Sequence, residues 1–147
     1  MRARDLTPDE AGRRLGWRYE GAYRTYDVDG ALGRDRGFFA VEDDEGALVG
    51  FGCTGAEARV PGVEAEEGTV DVGYGMRPDL TGQGQGREFV GAVLRRVVER
   101  HPEAVLRMSI LQWNGRSRRV AEGHGFRVAG RAGDFDVLVR EAAAEAG

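Results

Sequence analysis

Three groups of residues in this 147-residue chain have the types and spacing to do chemistry. Gly82, Gly84 and Gly86 alternate in a loop between a β-prone run, Thr69 to Met76, and an amphipathic stretch, Arg87 to Arg100. Alternate glycines let a backbone turn sharply and bring bare N–H groups close to a ligand. A helix that starts straight from such a loop adds its own unpaired amides and the positive end of its dipole. Strand, glycine loop and helix N-terminus together predict an anion site, with phosphate the natural guest. Asn114 and Ser117 form the second group: an asparagine that can cap a helix, and a hydroxyl one turn in. Asp71 is the third. It alternates with Val70 and Val72, and period two puts it on the same side as Gly73 and Gly75. If those glycines admit a reacting group, Asp71 is the candidate general base, against a plain role as a structural hydrogen-bonding partner. Glu67 is a looser second choice.

The common nucleotide motifs do not fit the glycine loop. A P-loop needs Gly-Lys before Ser or Thr, and the chain contains no lysine. The dinucleotide fingerprint G-x-G-x-x-G needs glycine at position 87 or 89, where Arg87 and Phe89 stand.

Residues 76–86 resemble instead the acyl-CoA loop of the GNAT superfamily of N-acyltransferases. That loop follows a strand ending near a proline, here Met76, Arg77 and Pro78. It then reads arginine or glutamine, two residues, glycine, one residue, and glycine or alanine. Gly84 and Gly86 match, and Thr81 departs from the first position. A second segment follows 28 residues after Gly86, where Asn114, Ser117, Val120, Gly125 and Phe126 stand at the matching positions of the family's Asn-to-Gly-Phe motif. The resemblance covers roughly residues 40–130.

That resemblance implies an N-acetyltransferase moving an acetyl group from acetyl-CoA to a primary amine by direct attack in a ternary complex. It puts the pyrophosphate on the N–H groups of Gln83, Gly84, Gly86 and Arg87. It puts Asn114 on the pantetheine arm between two splayed strands, a role compatible with a plain N-cap. It puts the oxyanion donor at the backbone N–H near Met76, freed by a bulge. Many members carry a tyrosine that protonates the leaving thiolate, and here that position is Ala121. Ser117, one helical turn earlier, is then the nearest hydroxyl for the role. The missing tyrosine also motivates an alternative, a catalytically idle acyl-CoA-binding module.

The acceptor side is read from residues. Trp17, Tyr19, Tyr23 and Tyr26 place four aromatics in ten residues, and Glu57, Glu64, Glu66 and Glu67 crowd one loop. An acidic loop draws a cation and aromatic faces stack it. A small-molecule amine or a peptide N-terminus fits. Trp17 has the competing reading of packing over a sheet.

The elements that must position these groups follow from pattern. Thr7 and Glu10 make a capping box with Pro8 at the first helical position. A hairpin is predicted over 38–42 and 47–54, with strands at 1–5, 69–76, 104–113, 126–131 and 134–140. Helices are predicted over 87–100 and from the Asn114 cap to 122, with His101 and His124 beside their ends. The fold class is α/β: a GNAT-like mixed, mostly antiparallel sheet flanked by helices, splayed between its two central strands, as one domain over 1–147.

Composition bounds the rest. The net charge is −4, all 21 basic residues are arginine, and no basic stripe dominates, so no nucleic-acid partner is expected. The single cysteine, Cys53, lies in an apolar run and reads as a small core hydrophobe. No disulfide or zinc spacing exists, and no metal is expected. No apolar run is long enough to span a bilayer and no signal-peptide core is seen, so no membrane partner and a cytoplasmic location are expected, as a monomer or homodimer.

Overall fold

The computed structural model describes residues 1–13, 37–81 and 84–142. Along them run β1 (Arg2–Arg4), α1 (Pro8–Arg13), β2 (Phe38–Glu42), β3 (Leu48–Thr54), β4 (Thr69–Met76), α2 (Gly86–Arg100), β5 (Val105–Leu111), α3 (Gly115–Gly123), β6 (Arg127–Ala132) and β7 (Phe135–Arg140). The strands form one sheet in the order β1-β2-β3-β4-β5-β7-β6. Every neighbouring pair is antiparallel except β4 and β5, which are parallel. A parallel pair needs a crossover, and α2 supplies it.

The apolar stripe of α2 covers the sheet. Phe89, Val90, Val93, Leu94 and Val97 are buried with Val41, Val49, Val72, Leu106, Met108 and Leu138 in the main core. The helix lies close because β3 carries glycine beneath it. A Cβ on Gly50 would come within 2.5 Å of the Phe89 ring and 2.6 Å of the Gly75 carbonyl oxygen. A smaller cluster of Leu6, Ala40, Leu48 and Phe51 is separate from this core.

The parallel pairing is short. It holds Thr69 to Val105, Val70 to Leu106 and Asp71 to Arg107, and goes no further. Beyond it β4 stays with β3 up to the pair of Met76 and Gly50, while β5 stays with β7 up to the pair of Leu111 and Phe135. The two central strands therefore part, and a wedge opens between residues 72–76 and 108–111.

Strands β2 and β4 and the β2–β3 turn fall where alternation and turn chemistry predict them. Helix α2 begins one residue early, and β5 is shorter than expected because Gln112 and Trp113 turn toward the α3 cap. The loop after β3 contains a 3-10 turn at Gly55–Ala58. The bulge expected near Met76 is absent: β3 and β4 keep one register from Met76 to Val72. The aromatic segment with Trp17, Tyr19, Tyr23 and Tyr26 lies outside the described residues. Among the described residues no helix is long and apolar enough to cross a membrane.

The capping box forms as the sequence indicates. The Glu10 carboxylate accepts from the Thr7 amide at 3.0 Å, and the Thr7 hydroxyl accepts from the Glu10 amide at 3.3 Å. Arg4 of β1 adds a bidentate pair to Glu10 at 2.7 and 2.6 Å. The Arg4 guanidinium holds the Glu10 carboxyl down at about 2, against the opposing pull of burial. A depressed carboxyl stabilises the fold above its unfolded value near 4.5, and that stability drains as pH falls toward 2. Glu10→Gln is therefore expected to lower stability at pH 7 by roughly 1–3 kcal/mol, with the difference shrinking below about pH 4.5 and vanishing only below about pH 2. Urea denaturation of both proteins across that range checks it, and a pH-independent difference would contradict it.

Candidate functional site

The wedge is pinned at its vertex by a buried ion pair. Asp71 and Arg107 are the last registered pair of β4 and β5, and they are 2% and 8% exposed. Arg107 donates through Nε to one carboxylate oxygen at 2.6 Å and through Nη2 to the other at 3.0 Å. Its Nη2 also reaches the Glu64 carbonyl at 2.7 Å, and its Nη1 reaches Glu66 at 3.2 Å. Arg59 adds a third guanidinium contact to Asp71 at 3.1 Å. The Asp71 carboxylate raises the Arg107 pKa above its ordinary value. Both oxygens of Asp71 are thus engaged, and Asp71 does not line the cavity that opens beyond it. The geometry supports its structural role over the role of general base. Glu67 is exposed.

Above the vertex lies a cavity of about 430 Å³. One wall is β4, with Val72, Gly73, Tyr74, Gly75 and Met76, and the other is β5, with Met108, Ser109 and Ile110. Successive residues of β4 all line it, because the opening is in the plane of the sheet, at the edges of two strands. The face argument that linked Asp71 to the glycines fails for that reason.

The edge of β4 presents backbone to this opening. The Arg77 amide donates to Val49 of β3 at 2.8 Å. Amides alternate edges along a strand, so the Met76 amide points to the side facing β5. Divergence of the strands, rather than a bulge, gives that edge to the cavity.

The glycine loop closes one mouth. Arg77 fastens its start to β3, with Nη1 donating to the Leu48 carbonyl at 2.9 Å. Thr81 donates its hydroxyl to the Pro78 carbonyl at 2.8 Å and lines the cavity. Gly84 sits at φ +79°, a conformation that favours glycine. Gln85 then starts α2 with no side-chain cap, leaving the first-turn amides to other acceptors. Gly84, Gly86 and Arg87 all line the cavity. A Cβ on Gly86 would stand 3.7 Å from Val120, so a small side chain there is tolerated by the fold. Gln83 lies outside the described residues.

Helix α3 closes the other mouth. Asn114 caps it, accepting the Ser117 amide at 3.1 Å, and both residues line the cavity with Arg116 and Val120. Ala121 is fully buried in the main core. His124 ties α3 to α2 by donating from Nε2 to the Arg87 carbonyl at 2.8 Å. The two helix starts are thereby held on one opening.

Sequence reasoning missed Tyr74. Its ring stacks on Phe89 with centroids 6.0 Å apart, and its hydroxyl stands 3.1 Å from the Ser117 hydroxyl. The signal was its place between Gly73 and Gly75. Cys53 is buried, and burial pushes its thiol up to about 12, so it stays protonated at neutral pH as expected of a core hydrophobe.

Residues 4–127 match the family described as "Acetyltransferase (GNAT) domain". No curated protein matches the chain. Among solved structures, AAC(6')-Ib in complex with ribostamycin and coenzyme A matches at TM-score 0.71 and 15% identity, covering 95% of this chain and 92% of that one. A spermidine N-acetyltransferase SpeG chimera from Vibrio cholerae and hSSAT matches at 0.70 and 14%, covering 95% and 93%. The Campylobacter jejuni N-acetyltransferase PseH in complex with acetyl coenzyme A matches at 0.56 and 16%, covering 71% of this chain and 66% of that one. At these identities the likeness is one of fold.

Removing the charge of Asp71 leaves Arg107 buried beside a neutral partner. Asp71→Asn is expected to cost on the order of 3 kcal/mol of stability in urea denaturation. A loss below about 0.5 kcal/mol, the usual effect of a surface substitution, would show that the vertex pair does not hold the wedge.

Proposed function

The chain belongs to the GNAT acetyltransferase family, and we propose that it moves an acetyl group from acetyl-CoA to a primary amine by direct attack in a ternary complex. The observation that carries this reading is convergence. The glycine loop, the start of α2 and the start of α3 all open onto the wedge where β4 and β5 part.

The residues fit acetyl-CoA by chemistry. The pyrophosphate is a double anion, and the amides of Gly84, Gly86 and Arg87, with Gln83, supply donors at the positive end of α2. The Arg87 and Arg116 guanidiniums add charge at the same opening. The pantetheine arm carries amides on a slender chain. It takes the wedge, where strand edges offer backbone partners and Asn114 a side-chain amide, among apolar walls of Val72, Met108 and Ile110. The Met76 amide faces the thioester carbonyl and stabilises the oxyanion as the amine adds. Ser117 delivers the proton that the leaving thiolate takes up. Asp71 enters as the support of the vertex, so the incoming ammonium loses its proton to water. Trp17, Tyr19, Tyr23 and Tyr26 supply the wall for the acceptor, a small amine or a peptide N-terminus.

Ala121, buried where many members carry a tyrosine, favours the second reading of an acyl-CoA-binding module without turnover. CoA release separates the two. The protein is screened with acetyl-CoA against polyamines, peptides and aminoglycosides. Release with at least one amine is expected, and binding without release from any of them would favour the module.

Gly86→Val tests the anion site by a direct binding measurement. It fills the space beside the first-turn amides while leaving the helix intact, and it is expected to weaken acetyl-CoA binding at least about tenfold, the loss of one or more charge-assisted hydrogen bonds. Unchanged affinity by calorimetry in the folded variant would remove the pyrophosphate from this loop.

A further inference from the structure

The Tyr74 and Ser117 hydroxyls meet across the wedge at 3.1 Å, one from β4 and the other from α3. Both side chains belong to the cavity wall. Each is held independently of the other. The Tyr74 ring stacks on Phe89 at an interplanar angle of 29°, and the Ser117 backbone is fixed by its bond to Asn114. A chance contact between two surface hydroxyls would lack this double support.

Acid strength gives the pair a purpose. An aliphatic alcohol is a much weaker acid than a thiol, so serine alone gives up its proton to a thiolate only uphill. A phenol ionises near 10 and a thiol near 8.5, so transfer from phenol to thiolate is close to balanced. A serine backed by a phenol combines reach with acidity.

Resting on the acetyl-transfer reading, we propose that Tyr74 is the proton source for the departing CoA thiolate and that Ser117 is its relay. The amine nitrogen forms its bond to the acetyl carbonyl carbon, the carbon–sulfur bond breaks, and sulfur takes the electron pair. Ser117 passes its hydroxyl proton to sulfur as Tyr74 passes its own to the Ser117 oxygen. The phenolate then takes a proton from water, and the amine nitrogen gives its surplus proton to water. Free thiol and amide leave. Ser117 touches the sulfur, and Tyr74 acts through Ser117.

Tyr74→Phe keeps the ring and its stacking and removes only the oxygen. It is compared with Ser117→Ala, the double variant and the wild type, in CoA release with an amine that the wild type acetylates, over about pH 6 to 9. Acetyl-CoA affinity and thermal stability are measured alongside, and both are expected to stay near wild type in every variant. General acids are typically worth ~10²–10⁴ in rate, and a thiolate is a good leaving group, so each single variant is expected to lose roughly tenfold in kcat. The double variant is expected to lose no more than the singles, because one relay is broken once. The ratio of variant to wild-type kcat is expected to fall as pH rises, since solvent protons become scarcer while a phenol stays protonated. Wild-type kcat in Tyr74→Phe across the range, or losses that multiply in the double variant at a constant ratio, would overturn the relay and leave acetyl transfer standing. Absence of CoA release by the wild type with every amine would overturn acetyl transfer itself, and the relay with it.

Discussion

The buried pair of Asp71 and Arg107 is the constraint on which the rest of this structure depends. It occupies the last position where β4 and β5 still register. Below it the sheet is continuous, and above it two strands go separate ways. A sheet that splits in its middle exposes backbone donors and acceptors that folding ordinarily pairs. The split persists because each strand keeps a full antiparallel partner on its outer side, β3 for β4 and β7 for β5. The ion pair fixes where the split begins. Its cost in desolvation is offset by bidentate geometry and by the further contacts of Arg59, Glu64 and Glu66.

The wedge becomes a site because two helices start at its mouths. Helix α2 is drawn onto the sheet by the contact of Phe89 with the bare backbone of Gly50. Helix α3 is tethered behind its start, through Arg118, which donates to the Gln112 carbonyl and pairs with Asp136 of β7. The bond from His124 to the Arg87 carbonyl then couples the end of α3 to the first turn of α2. The first-turn amides of α2, a capping asparagine and two hydroxyls are positioned by packing that lies outside the opening they line.

Much of this was legible in the sequence. The strand alternation of 69–76, the α2 stripe, the Thr7–Glu10 capping box and the Asn114 cap are local patterns, and local physics sets them. Met76, Gly84, Gly86, Arg87, Asn114 and Ser117 meet at one opening because the two motifs that carry them sit on elements flanking one strand gap. What escaped was three-dimensional. Asp71 reads as a lone acid among valines, and only the register of β4 with β5 shows Arg107 opposite it, 36 residues away. The expected bulge near Met76 stood in for a strand divergence that alternation along one strand cannot show. Tyr74 went unnoticed because a face argument has no place for a cavity in the plane of the sheet.

The central claim is that acetyl-CoA lies in this wedge, and backbone amide NMR during an acetyl-CoA titration of the wild-type chain tests it most directly. Saturable shifts are expected at residues 72–76, 84–88, 108–110 and 114–120, with β1, β2 and β6 unmoved apart from small propagated changes. Shifts confined to other parts of the chain, or none at millimolar acetyl-CoA, would contradict the account.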